Sequence, residues 1–363
     1  MKRKPYGLMA DIHLHLWNAF SHTNDSNINN RLALILDEIE RCAETLNKKG
    51  GSEIYIAGDV FHVRGSVSPS VLNPFEHRLE QINTKYGTKF IILPGNHDME
   101  NRDSSWVSNA ITTLACDYVY THSHEYALDV KNGIALIPWF DKIDEFKVAA
   151  KRLADTIDSA TRITMDLLIH APIDGVIPLL PDHGLGAEWL AELGFKRVFA
   201  GHYHNHKDFG NGVYSIGAIA HHTWSDVGSK AGFLIVDDDV KWFKSRCPDF
   251  VEIPFGTSEV DAALMASGNY VKARTESTKM SEIEALRKFF TDEGALGVVI
   301  QHVPPATVVR ASSSVTASSP TERSSLEQSV DKFISGLISD PLQEQHKKMV
   351  AIESQKILAE ATI

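Results

Sequence analysis

The chain has 363 residues, enough for one large core with a smaller module or an arm. Lys+Arg 36 against Asp+Glu 47 gives a formal net charge of -11. That balance argues against a surface that is basic all over, so nucleic acid would have to be met by a local basic patch, bound metal or a partner protein.

At the N-terminus, "MKRKPYGLMADIHLHLW" begins with basic residues, but Asp11, His13 and His15 interrupt any signal-peptide core. The first apolar run, "YGLMADIHL", reads as a strand ending in Asp11 and His13. "NNRLALILDEIERCAETLNKKG" then sets Leu32, Ile35, Leu36, Ile39, Ala43 and Leu46 on one helical face and stops at Gly50. "EIYIAGDVFH" is a second strand, ending in Asp59 and His62, and a helix follows in "SPSVLNPFEHRLEQINTKYG". "KFIILPGNHD" is a third, with Asn96, His97 and Asp98 at its tip. A helix in "EFKVAAKRLADTI" precedes "MDLLIHAP", which ends at His170, and "RVFAGHYHN" ends with His202 and His204. Alternating strands and helices predict an α/β core, whose functional loops gather at the carboxyl ends of strands. No run is long enough to span a membrane, and Cys42, Cys116 and Cys247 lack paired spacing. The thiols read as reduced packing residues of a cytoplasmic protein.

Taken singly, each polar group has a bland reading. Asp-x-His after a strand is usually a turn with a hydrogen-bonded histidine, and "GNHD" is a good β-turn sequence. His122 and His124 in "THSHE", and His221 and His222 in "AHHTW", are histidine pairs outside the wider pattern. The order D-x-H, G-D, G-N-H-D, H, G-H-x-H, each at the end of an apolar run, is another matter and reads as a metal centre. Oxygen and imidazole donors without thiolate suit Mn²⁺, Fe²⁺, Mg²⁺ or Zn²⁺ and argue against structural zinc. The donors suffice for two ions, with Asp59 able to bridge them through its two oxygens. Two ions roughly 3.5–4 Å apart can supply hydroxide and clamp the attacking and leaving oxygens of a phosphate ester. They also outweigh Asp11 and Asp59, leaving a net positive centre for an anionic phosphodiester. His97, beside Asn96, is placed to act as general acid, with Asp98 fixing its tautomer.

These motifs resemble the calcineurin-like metallophosphoesterase superfamily and, more narrowly, the SbcD-type DNA repair nucleases and their bacteriophage counterparts. The narrower likeness rests on "GDVFH", on the following Ser68-Pro69-Ser70, and on "YSIGAIAHHTWSDVGSKAGFLIVD". It implies a β-sandwich flanked by helices over residues 1–247. It also implies one ion on Asp11, His13, Asp59 and His204, and a second on Asp59, Asn96, His170 and His202. His97 becomes the catalytic histidine and His62 a second group near the scissile phosphate, with Mn²⁺ the favoured metal. The chain departs from the family pattern at Ile216-Gly217-Ala218, where Ser-Pro is common, and in the missing proline after "GHYHNH".

Beyond "GFLIVDDDVKWFKSR" the pattern changes. "NYVKARTES", "MSEIEALRKFFTDEG" and "LGVVIQHVP" read as strand, helix, strand, a small α/β module over 248–303 that corresponds to the family's capping domain. A Ser/Thr/Ala/Pro-rich linker over 304–325 leads to two amphipathic helices in 326–363, with Leu326, Val330, Phe333, Ile334, Leu337 and Ile338 on one face. By resemblance, such a helix-loop-helix arm holds the coiled-coil base of an SbcC-type ABC ATPase, and "VLNPFEHRLEQI" pairs two copies into a homodimer. The leading expectation is therefore a Mn²⁺-dependent DNA exonuclease/endonuclease subunit for recombination, repair or degradation, in a bacterial or phage-infected host cytoplasm. The alternative is a stand-alone phosphodiesterase or phosphatase for a small phosphate ester. A third reading, a scaffold without catalysis, is disfavoured because no ligand position is lost.

Overall fold

Local sequence sets the helices. In the computed structural model, which describes residues 3–101 and 109–303, helix α1 (Asn30–Asn47) starts at Asn29, whose side-chain oxygen accepts the Arg31 and Leu32 N–H groups. Its periodic apolar face, Leu32 to Leu46, is buried. Helix α2 (Pro69–Tyr86) begins with a favoured Pro and buries Val71, Phe75, Leu79 and Ile82.

Strands β1 (Tyr6–Met9), β2 (Glu53–Ala57), β3 (Lys89–Leu93) and β4 (Val119–Thr121) pair in parallel. Next along the chain come β5 (Ala127–Asp129), β6 (Ile134–Ile137), helices α3 (Ile143–Asp155) and α4 (Ser159–Arg162), and β7 (Asp166–His170). Helix α5 (Ala187–Glu192), β8 (Arg197–Gly201), β9 (Lys207–Asp208), β10 (Val213–Ser215), β11 (Gly232–Val236) and β12 (Val240–Lys244) complete the core. The strands form two mixed six-stranded sheets, in the orders β12-β11-β1-β2-β3-β4 and β5-β6-β7-β8-β10-β9.

Side-chain alternation along each strand builds the layers. Tyr55, Ala57, Ile91 and Leu93 face inward and meet Leu136, Leu168 and Phe199 of the second sheet. The intervening residues Ile54, Ile56, Phe90 and Ile92 pack outward with α1 and α2. Leu167, Ile169 and Val198 do the same against α3 and α5. The result is a β-sandwich with helices on both outer faces, as expected. At its amino-terminal end the two sheets are tied by fully buried Asp166, which accepts hydrogen bonds from Tyr6 (2.8 Å), Arg3 (2.6 Å) and Arg197 (2.8 Å to each oxygen).

Within the expected span, the small module has more elements than the sequence suggests. A strand, β13 (Phe250–Ile253), and a helix, α6 (Glu259–Ala266), precede β14 (Tyr270–Thr275), α7 (Met280–Asp292) and β15 (Gly297–His302). The three strands are parallel and have their own apolar cluster around Ala266, Val271 and Phe290. Phe20 stacks on Tyr270, and Arg31 lies over Phe250 and Tyr270, which seats this sheet against the sandwich. The linker and helical arm expected over 304–363 lie outside the described residues, and among the described residues no helix is long and apolar enough to cross a membrane.

Candidate metal centre

The segment after β1 runs on beside the segment after β2: Asp11 N–H donates to Gly58 O at 3.0 Å and His13 N–H to Asp59 O at 3.0 Å. This pairing brings Asp11, His13 and Asp59 to one end of the sheet, beside the loop after β3. Strands β7 and β8 of the other sheet deliver His170, His202 and His204 to the same place. Asp11 (φ 49°), His13 (φ 45°), Asp59 (φ 54°) and His202 (φ 117°) all lie in a backbone region that side-chain-bearing residues avoid. Such strain persists where the surroundings over-determine it, most often at functional sites. Packing is equally tight: a Cβ on Gly95 would sit 2.2 Å from Asp59 Oδ1 and one on Gly58 2.1 Å from His170 Nδ1.

Seven expected ligands converge as two clusters. Asp11, His13 and His204 bring ligand atoms within 4.8 Å of one another, as do Asp59, His170 and His202. Asp59 stands between them, with Oδ2 3.6 Å from His13 Nε2 and Oδ1 3.5 Å from His170 Nε2. Asn96 Oδ1 lies 3.2 Å from His170 Nε2 and 3.0 Å from His202 Nδ1. The residues fit divalent ions on their own evidence. The ring nitrogens of His13 and His204 face each other at 3.1 Å, a spacing that needs a shared proton or a cation. His170 Nδ1 donates to Ala57 O (2.7 Å) and His204 Nδ1 to Asp226 Oδ1 (2.6 Å), so each ring directs Nε2 inward, and in its neutral form that nitrogen is the one with a free lone pair for an ion.

Electrostatics agree. Burial pushes the Asp11 carboxyl up to about 6, against the pull of His170 and His204. Burial opposes the charge on Asp59 too, but His170 and His13 hold it well below the usual carboxylate range. Burial disfavours a charged His170, yet Asp59 and Asp11 raise it to about 9. Burial and the neighbouring His170 take His202 down to about 3. Without a cation, protons must neutralise these carboxylates, and His170 carries one.

His97 and His62 stand at the rim of the first cluster. Their rings are parallel with centroids 5.5 Å apart, and His97 meets the His13 ring edge-on at 4.8 Å. Burial and the charges of His15 and His97 lower His62 to about 4. Asp98 does not take its expected place. Its carboxylate accepts the N–H groups of Gly95 (2.8 Å), Phe61 (2.9 Å) and Val60 (3.2 Å), bracing the loops after β2 and β3 against each other. The tautomer of His97 is set instead by the His62 carbonyl, which accepts from Nδ1 at 2.7 Å. The short Asp98 side chain is turned inward to satisfy buried backbone donors, which are costly to leave unpaired.

Sequence reasoning missed three participants. Asp226, which orients His204, also accepts from the His222 and Thr223 N–H groups; burial opposes its charge, but the His204 hydrogen bond keeps it well below the usual range. His222, set aside as one of a pair outside the wider pattern, is buried 5.2 Å from the His13 ring, and its Nε2 reaches Asp11 O at 3.0 Å. Trp17 stacks on His222 and packs on His62. The signal was present in "AHHTWSD", but no apolar strand runs into it.

Among solved structures, a dimetal phosphatase from Danio rerio is similar to 68% of this chain and 97% of its own length, at 12% identity and a TM-score of 0.37. No curated protein matches. The sequence pattern of the calcineurin-like phosphoesterase family matches residues 4–206, a stretch that holds all seven clustered ligands. It spans more than half of the chain, which belongs to that family.

Proposed function

We propose that this chain hydrolyses phosphodiesters at a two-ion centre. The observation that carries the reading is Asp59, with one oxygen turned to each cluster. Asp11, His13, Asp59 and His204 would hold one ion, and Asp59, Asn96, His170 and His202 the other. Ions so held supply Lewis acidity and an activated water nucleophile. The chain's own residues do the rest. With Nδ1–H kept on the His62 carbonyl, His97 can give a proton from Nε2 to the departing oxygen and return to the same neutral tautomer. His62, parallel to His97, limits how that ring can turn.

The substrate can be read at two levels. Family membership and the ligand set support a phosphoesterase without restriction to nucleic acid, and a small phosphate diester satisfies both. The narrower reading, a Mn²⁺-dependent DNA nuclease subunit carried by an SbcC-type ATPase through the 326–363 arm, is supported by the "GDVFH" motif, the βαβαβ module and the arm's amphipathic pattern. Incubating the full chain with bis(nitrophenyl) phosphate and with plasmid DNA, each with Mn²⁺ or with chelator, tests both. Mn²⁺-dependent nitrophenol release is expected, and its absence would sink the phosphodiesterase reading. Plasmid cleavage would support the nuclease; an intact plasmid beside brisk diester hydrolysis would leave the small-ester reading.

A further inference from the structure

Trp139 follows β6, on the sheet that supplies His170 and His202. Its backbone N–H donates to the Pro94 carbonyl at 3.2 Å, which ties it to the loop carrying Asn96. The indole lies nearly parallel to the His202 ring, with centroids 5.1 Å and planes 22° apart, and meets His170 edge-on at 5.9 Å. It thus touches both histidines of the second cluster.

His202 has particular need of such support. His170 and His204 point Nε2 at the site because an oxygen holds Nδ1 behind them. His202 presents Nδ1 itself, 3.0 Å from Asn96 Oδ1, so that this nitrogen is not available as an anchor. Its backbone, at φ 117°, lies outside the regions that ordinarily fix side-chain direction. A flat ring laid on the imidazole restricts its rotation from the face and leaves Nδ1 open to the site. We propose that Trp139 is the positioning residue for His202, holding its ring so that Nδ1 stays directed at the second ion. The assignment rests on the two-ion reading of the centre.

The test is a calorimetric titration of metal-free full chain with Mn²⁺, with elemental analysis and no substrate. The wild type should take up two ions. Trp139→Ala should bind one of them roughly ten- to a hundredfold more weakly, the usual loss when a ligand's support is removed, and leave the other unchanged. Trp139→Phe, which keeps a flat ring, should stay within about threefold of wild type. In a His202→Asn background, Trp139→Ala should add no further loss, because the ring it positions is gone. If Trp139→Ala fails to fold, Trp139→Leu fills the volume without a flat face and takes its place. Equal weakening of both ions, wild-type affinity for both, or a loss that adds fully to that of His202→Asn would each overturn the assignment. A wild type that binds fewer than two ions would instead overturn the two-ion reading.

Discussion

Asp59 is the residue on which both clusters depend. Because each of its oxygens faces a different cluster, Asp59→Asn weakens two sites with one change of charge, while the amide keeps the shape of the carboxylate. The expected outcome is a folded protein that has lost most of its bound Mn²⁺ and nearly all activity; elemental analysis and the diester assay check it. His97 is a separate case, since its hydrogen bond to His62 O leaves Nε2 free for proton transfer. His97→Ala should keep both ions and lower turnover on alkyl phosphodiesters such as DNA by roughly 10²–10⁴. With a nitrophenyl diester, whose phenolate departs unaided, the defect should shrink markedly. Equal losses on both substrates with reduced metal would show that His97 only braces the turn. The seven ligands were legible in sequence because each ends an apolar run. Asp226 and His222 were not: Asp226 reaches His204 from a loop 22 residues on, and His222 meets Asp11 across 211 residues, contacts that only the folded chain brings about.

The elements were readable to the degree that they are long. Helices α1, α2, α3 and α7 carry a countable period, and β1, β2, β3, β7 and β8 are apolar runs closed by polar residues, whereas the short parallel strands β4, β6 and β10 went unread. Strand β13 has four residues, two of them half-buried, and α6 makes barely two turns, so neither offers a period to count. Their existence follows from the parallel sheet, in which β14 needs a neighbour on each side. Between elements, the loops after β2 and β3 interlock so closely that glycine is required at Gly95 for space alone. Gly95→Ala would push a methyl against Asp59 Oδ1 (2.2 Å) and Asp59 N (2.4 Å). Overpacking of this kind costs about 1–3 kcal/mol. We expect a lowered melting temperature together with reduced Mn²⁺ content, both measurable on the purified variant.

For the whole molecule, folding and metal uptake are linked through protons. His170, raised to about 9 from an ordinary 6.5, is charged at neutral pH in the metal-free protein. Its stabilising contribution to that form is therefore complete below about 6.5 and is lost as pH rises through 9. A bound ion requires the same imidazole neutral, so uptake at pH 7 should release protons and Mn²⁺ affinity should climb with pH toward 9. Calorimetry in two buffers of different ionisation heat checks this; identical apparent heats would refute the proton release.

Polar groups tie the two sheets at both ends of the strands, beyond the apolar layer packed between them. Asp166 clasps Tyr6 and Arg197 at the amino ends, and the ligand set spans both sheets at the carboxyl ends. Chelation would remove only what the ions add at the carboxyl ends, where His170 Nδ1 still reaches Ala57 O. Loosening should then be largest beside Asp59 and His202. Amide hydrogen exchange in EDTA should therefore quicken at the carboxyl ends of β1, β2, β7 and β8 while amides near Asp166 stay slow. Uniform quickening along these strands would mean that the Asp166 clasp does not hold by itself. On this view the ions act as mechanical parts of the enzyme, and a chelated protein would become an easier protease substrate at its catalytic edge first.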